Sequence, residues 1–254
     1  MRNVATILLT SVAVAAMTTV TAYASQFNIN PVLVTLSESR RVGALALKNE
    51  SDKMVTVQAK LFAWQQDENG KDQLTPSDTL SYMPRIVQLK PGEERSIRIA
   101  FSSKSPPAAE QAYRIYLTEQ PQATTDPDQK RQLTVALKMG VPVFVSPKET
   151  ARDKGAVGEV TAVKGAAGFV VQNTGNARLV MKSVIMTGQG ASGSDVFTVE
   201  MGRQFVLAGM KKRFSAKLPA DTCGKAASLR IVGELETGGT LTATLPLSPM
   251  ACGE

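Results

Sequence analysis

The 254-residue sequence predicts an all-β protein made of two β-sandwich domains. Apolar residues alternate with polar ones along many short segments, turn-forming residues separate these segments, and no window keeps a helical period over a useful length. About seven strands in some 120 residues are typical of an immunoglobulin-like sandwich. The predicted fold class is therefore all-β, with two immunoglobulin-like β-sandwich domains.

The first half carries the clearest strand patterns. Residues 55–63 place five apolar side chains on one face, and Ile97–Phe101 and Tyr113–Leu117 repeat the two-residue period. Turn signals lie at Asp67–Gly70 and Thr75–Asp78. These features predict one complete sandwich.

The polar stretch Ser146–Arg152 has no apolar pattern and marks a predicted domain junction. We expect a first domain at residues 25–147 and a smaller second domain at residues 148–254. The second half is richer in Gly and Ala. Its strand candidates are Phe169–Gln172, Leu179–Met186, Phe205–Leu207, Leu229–Leu235 and Leu241–Leu247.

Residues 1–24 are predicted to be a secretory signal peptide. Arg2 gives a positive start, the following residues are mostly apolar or small, and Ala22–Ala24 fits an Ala-x-Ala cleavage site. The alternative is an uncleaved membrane anchor, but Ser11 and several threonines dilute the apolar run. No later segment has the apolar length of a membrane span. We expect an exported, soluble protein without stable membrane insertion.

The composition argues against nucleic-acid binding and catalysis. Removing Arg2 with the leader lowers the net charge from +7 to +6, but the charges are scattered and aromatic residues make up only 5% of the chain. The chain contains no histidine, which excludes Ser-His-Asp and Cys-His pairs. A Ser-Lys or carboxylate pair stays open, although no local motif supports either. We expect no nucleic-acid partner, no catalytic residue, no metal and no cofactor.

The chain has two cysteines, Cys223 and Cys252. In an exported protein the default expectation for such a pair is a disulfide bond. Two cysteines without any histidine also make a poor metal site. We expect the disulfide to stabilise the thinner second core.

The longest alternation in the sequence runs from Leu133 to Val145. Every odd position in it is a large apolar residue: Leu133, Val135, Leu137, Met139, Val141, Val143 and Val145. Pro142 has no N–H to donate, so the strand is predicted at a sheet edge. A long apolar edge invites pairing with another chain, and only the charge of Lys138 opposes it here. The segment is either an ordinary core strand or a strand that is lent to another protein.

Short motifs in the first half occur in a specific order: Asn49–Asp52, Trp64, Leu74–Pro76, Met83–Pro84, Leu89–Gly92, Ser96–Ile99, Glu110, Tyr113–Pro121 and Val143–Pro147. In this order and spacing the chain resembles the periplasmic pilus chaperones of the chaperone–usher pathway. The match covers nearly all of the first domain, and the pattern is closer to the divergent branch called archaic or alternative. The second domain resembles the family mainly in its position and β pattern.

The resemblance implies a function in the periplasm. Chaperones of this family bind, fold and cap pilus subunits that lack a strand by donating their own edge strand, and they deliver the subunits to an outer-membrane usher without a cofactor. The residues that the family would donate correspond here to Leu133, Val135, Leu137, Met139, Val141 and Val143. Because such an edge is exposed before a subunit arrives, we also expect self-association of the free protein or disorder between Gln120 and Arg131.

The sequence departs from the family where the subunit's terminal carboxylate is held. The best-known members use an arginine on the first strand and a lysine on the long strand, positions that align with Pro31 and Pro142 here. We predict Arg114 as the replacement anchor and Lys138 as the second candidate.

A second departure concerns the ion network between the domains. Its acidic members align with Glu110 and Glu236, but Ser146 stands at the basic position. We therefore do not expect this network in its usual form.

The alternative function is an exported adhesin or pilus structural subunit. Such a subunit would carry a donor extension at its mature N-terminus, whereas the alternation in residues 25–36 is interrupted by Pro31. A secreted enzyme is a weaker alternative, because the chain lacks histidine and recognisable catalytic motifs.

Overall fold

A computed structural model describes residues 27–120, 136–163, 165–247 and 252. Nearly all regular structure in these residues is β-strand, which confirms the predicted all-β class. The predicted signal peptide and the predicted donor residues Leu133 and Val135 lie outside the described residues.

Ten strands lie between residues 27 and 145: β1 (Phe27–Asn30), β2 (Val34–Leu36), β3 (Val42–Asn49), β4 (Val55–Gln66), β5 (Asp72–Pro76), β6 (Leu80–Met83), β7 (Ile86–Leu89), β8 (Glu94–Phe101), β9 (Gln111–Gln120) and β10 (Lys138–Val145). They form a four-stranded sheet in the order β1-β3-β8-β6 and a six-stranded sheet in the order β2-β10-β9-β4-β5, in which β7 also pairs with β4. These two sheets are the first of two immunoglobulin-like sandwiches.

The core of the first sandwich is built from the alternating faces of its strands. Leu45 and Ile97 belong to the four-stranded sheet, Val57 and Ile115 belong to the six-stranded sheet, and all four side chains are fully buried in one cluster. The period-two pattern thus placed the core-facing residues of β4, β8 and β9 correctly, because side chains on a strand alternate between its two faces.

Eight further strands lie between residues 155 and 246: β11 (Gly155–Val163), β12 (Ala166–Asn173), β13 (Leu179–Gln189), β14 (Asp195–Met201), β15 (Gln204–Val206), β16 (Lys211–Lys217), β17 (Ser228–Leu235) and β18 (Thr240–Pro246). They form a three-stranded sheet, β11-β12-β16, and a five-stranded sheet, β14-β13-β17-β18, with β15 also paired to β13. A short 3-10 helix spans Cys223–Lys225. The sequence patterns missed β11, β14 and β16, whose glycines and charged residues weaken the apolar alternation.

The second core includes the predicted disulfide. Cys223 is fully buried and is joined to Cys252, 29 positions further along the chain. Cys223 packs with the apolar side chains of this sandwich, and Cys252 contacts the same cluster from a partly buried position. The bond therefore ties the C-terminal end of the chain to the core.

Candidate functional site

Strand β10 has an open edge. It pairs antiparallel with β9 over its full length, from Lys138 to Val145. On the other side it pairs with β2 only from Val143 to Val145. Among the strands that the structure describes, none covers this second edge between Lys138 and Pro142. Within the described residues, this part of β10 is therefore paired with a strand on one side only.

The odd-numbered side chains of β10 face the protein's own core over most of its length. Val141 and Val143 are buried in the first sandwich, whereas Leu137 and Met139 are only partly buried against the margin of the same cluster. A side chain that its own core already encloses cannot fill the groove of a partner. The predicted donor residues that the structure describes thus differ in burial: Val141 and Val143 pack inside the first sandwich, and Leu137 and Met139 lie at its margin.

Arg114 lies directly opposite Pro142 in the β9–β10 register. The resemblance places a lysine of other family members at the position of Pro142. In this chain the residue directly opposite that position, on the adjacent strand, is the cationic Arg114. The Arg114 guanidinium stacks 3.9 Å from the centroid of the Trp64 ring and donates a hydrogen bond to Asp72. Its side chain is 18% exposed, so it lies near the surface but is largely enclosed.

Gly140 makes room for this arrangement. A Cβ atom at this position would lie 2.9 Å from the Tyr116 ring and 3.1 Å from the Cδ of Arg114. The side chains of Arg114 and Tyr116 therefore pass over β10 where it has no side chain of its own.

Lys138, the second anchor candidate, lies on the same strand. Its Nζ is 4.5 Å from the centroid of the Tyr116 ring, which itself packs edge-on against Phe62 at 5.7 Å. Lys138 is exposed, so its ammonium group combines a cation–π contact with access to solvent.

The side of β4 that faces away from the sandwich core contacts the second sandwich. Trp64 packs against Phe144 of β10 at 6.0 Å and against Phe205 of β15 at 5.4 Å. The buried Gln66 accepts a hydrogen bond of 3.0 Å from the backbone N–H of Leu207. Trp64 lies on the side of β4 opposite to Val57 and Leu61, and its contact with the second sandwich leaves it buried.

A buried ion pair joins the two sandwiches at a second point. Arg178 donates to Glu110 from its guanidinium Nη1 and also from its backbone N–H, the latter at 3.0 Å. The Arg178 guanidinium also stacks 3.9 Å from the centroid of the Phe144 ring. Burial raises the pKa of the Glu110 carboxyl and outweighs the opposing effect of Arg178. Arg178 thus contributes the basic group that Ser146 does not supply.

Glu236, the other acidic residue predicted for this network, lies elsewhere. It pairs with Arg203 on the exposed surface of the second sandwich. No sequence signal identified Arg178 as the partner of Glu110, because the two residues are 68 positions apart and belong to different sandwiches.

Replacing Arg178 by Ala is expected to lower the free energy of unfolding by about 2–4 kcal/mol, because it leaves the Glu110 carboxylate buried without its cation. Arg203→Ala is the matched control. Its pair is surface-exposed and contributes about 0–1 kcal/mol. Urea unfolding of both variants at neutral pH measures the difference. Equal effects would show that the Glu110–Arg178 pair does not support the interdomain contact.

Neither a membrane span nor a metal site emerges from the described part of the chain. It contains no helix with the length and apolar character needed to cross a bilayer. It also contains no cluster of three or more His, Cys, Asp or Glu side chains arranged to hold a metal ion.

Comparison with known proteins gives a family match over the first part of the chain. The model of the pili and flagellar-assembly chaperone, PapD N-terminal domain, matches residues 26–151. No curated protein sequence matches the chain.

Solved structures share the fold over most of the chain. A chain of the CsuC–CsuE chaperone–tip adhesion subunit pre-assembly complex, from the archaic chaperone–usher Csu pili of Acinetobacter baumannii, is similar with a TM-score of 0.63 and 19% identity, over 87% of this chain and 98% of that chain. The class 5 fimbriae chaperone CfaA is similar with a TM-score of 0.57 and 17% identity, over 87% of this chain and 100% of that chain. A chain of the Salmonella enterica SafA pilin–SafB chaperone complex is similar with a TM-score of 0.55 and 13% identity, over 89% of this chain and 98% of that chain.

The similarity to these solved structures shows the two-domain fold. The family model separately matches the first domain. The open edge of β10, the paired sandwiches and the match over residues 26–151 agree with one another. Residues 26–151 of the chain belong to the pili and flagellar-assembly chaperone family.

Proposed function

We propose that this protein captures, folds and caps pilus subunits in the periplasm by lending them the strand that ends in β10, and that it delivers them to an outer-membrane usher. The observation that carries the proposal is the apolar face of this strand. That face is buried at Val141 and Val143 and only partly buried at Met139 and Leu137. It continues in the sequence through Val135 and Leu133, so the apolar alternation is longer than the described strand.

The physical basis is the incomplete sandwich of a pilus subunit. A sandwich that lacks one strand exposes a groove and two rows of unpaired backbone groups. The donated backbone pairs with these groups, and alternate side chains fill the groove. Four such side chains, at about 1.5–3 kcal/mol each, contribute a gross term of roughly 6–12 kcal/mol before entropic costs. Two solved structures of similar fold hold a tip subunit or a pilin in complex with a chaperone, which supports the same class of partner here.

The proposed mechanism requires no catalysis and no cofactor. In this proposal, the folding free energy released when the subunit later receives its final strand drives the handover. The open edge between Lys138 and Pro142 is also available to a second copy of the chain, so the free protein is proposed to self-associate before a subunit arrives.

Arg114 is the proposed anchor for the subunit's terminal carboxylate. Its support is its position opposite Pro142 and its side chain, which is 18% exposed. Arg114→Ala is expected to weaken subunit binding by about 10- to 100-fold, because a hydrogen bond to a charged group contributes about 1.5–3 kcal/mol.

Lys60→Ala is the control for this substitution. Lys60 is an exposed cation on the neighbouring strand β4, so its removal changes the net charge equally. Binding constants from titration calorimetry compare the two variants. If Arg114→Ala binds subunits as tightly as Lys60→Ala does, the anchor lies elsewhere and Lys138 is the next candidate.

The function itself is tested by copurification from periplasm. An affinity-tagged chain is expected to recover a small β-rich protein in a one-to-one complex. Recovery of the chain alone, under conditions in which pili assemble, would contradict the chaperone function. A strand of this chain found permanently incorporated in assembled pili would favour the structural-subunit alternative.

A further inference from the structure

The contact between Asp72 and Arg114 has features of an exchangeable pair. Asp72 lies on β5 and accepts hydrogen bonds from two donors, the Arg114 guanidinium and the Trp64 indole Nε1, the latter at 2.8 Å. The side chain of Asp72 is 33% exposed, so solvent and a partner can reach it.

Asp72 would not be left unpaired if Arg114 released it. The hydrogen bond from Trp64 would remain, and Lys212 of the second sandwich interacts electrostatically with the same carboxylate. Burial lowers the pKa of Lys212 and the nearby Asp72 opposes this change, as expected for a cation held beside a carboxylate. Releasing Arg114 therefore costs Asp72 only one of its stabilising contacts.

Arg114 would also keep its position during an exchange. Its guanidinium is stacked on the Trp64 ring, and its Nε is buried without a hydrogen-bond partner among the described residues. Arg114 and Lys212 carry two positive charges against the single negative charge of Asp72. The cluster formed by Asp72, Arg114, Trp64 and Lys212 thus has one excess positive charge, which a second carboxylate would neutralise.

We infer that Asp72 is an internal carboxylate that occupies Arg114 in the free protein and competes with the terminal carboxylate of a subunit. The inference rests on the proposed function, since it assigns the regulation of the proposed anchor. Asp72 lowers the affinity of Arg114 for anions and restricts binding to partners that also engage the donor strand.

The test is the isosteric substitution Asp72→Asn, with the subunit that copurifies with the chain as the probe. Asn retains an oxygen for the Trp64 N–H but removes the competing charge. We expect subunit binding to become about three- to tenfold tighter, the range for a partly exposed charge.

Glu68→Gln is the matched control. Glu68 lies in the same hairpin and pairs with Lys211, so the substitution makes the same change in net charge without touching Arg114. It is expected to change the affinity by less than about twofold, because the Glu68 side chain is exposed and solvent and salt screen its charge. In an Arg114→Ala background, Asp72→Asn is expected to have no effect.

Three results would overturn the inference: weaker binding by Asp72→Asn, an equal gain from Glu68→Gln, or a gain that persists in the Arg114→Ala background. Weaker binding would mean that Asp72 holds Arg114 in position. Thermal melting of each variant shows whether the fold is retained. A wild-type protein that binds no subunit would refute the proposed function instead, so the two failures are distinguishable.

Discussion

Aspartate at Leu137 is expected to weaken the capture of a pilus subunit by more than about 100-fold, because binding would bury an unpaired carboxylate at a cost of several kcal/mol. Leu133→Asp and Val135→Asp are expected to act in the same way. Their side chains continue the alternation of Leu137, which packs only at the margin of the chaperone's own core. Surface plasmon resonance with a purified subunit measures the three affinities.

Aspartate on the opposite face is the control. Thr134→Asp and Ala136→Asp add the same charge to the same segment at even positions, so we expect at most about a fivefold weakening of capture. Equal losses from odd and even positions would mean that this segment does not insert one face into a partner. The central functional proposal would then be wrong.

Val143→Asp separates donor residues from core residues. Val143 is fully buried between the two sheets of the first sandwich, so an aspartate there is expected to unfold the domain. Leu133→Asp and Val135→Asp are expected to keep the wild-type melting temperature. Far-ultraviolet circular dichroism on heating distinguishes the two classes. Normal folding of Val143→Asp would show that the donor face extends further along β10.

Removing the disulfide is the other substitution with a large expected effect. The double variant Cys223→Ser/Cys252→Ser is expected to lose about 3–4 kcal/mol of unfolding free energy, because the bond closes a loop of intermediate length in the unfolded chain. Cys223 also packs inside the second core, so the loss is expected to affect the second sandwich. Urea unfolding followed by circular dichroism measures it.

A reducing agent supplies the control for the disulfide. Dithiothreitol is expected to destabilise the wild-type protein to a similar extent and to leave the double variant unchanged. Mass spectrometry of protein from the periplasm is expected to show one disulfide. Two free thiols, or an equal effect of the reductant on both proteins, would contradict this prediction.

Local patterns determined the all-β class and the core-facing residues of β4, β8 and β9. Val57 and Ile115 are buried as the two-residue alternation predicts, since a strand turns alternate side chains to opposite faces whatever its neighbours are. The Cys223–Cys252 pairing followed from the cysteine count alone. The family resemblance followed from the order of short motifs between residues 49 and 147, which lie within the range that the family model matches.

Only the tertiary structure decided where the apolar face of β10 stops being core. Val143 and Val141 are buried whereas Met139 and Leu137 are only partly buried, a difference that depends on the packing of the whole sandwich and that the regular alternation in the sequence does not indicate. Pairs between distant residues were equally beyond the sequence: Asp72 with Arg114, and Glu110 with Arg178. The sequence gives no sign that these charged side chains are enclosed. They become enclosed only when the strands pair and the two sandwiches pack together.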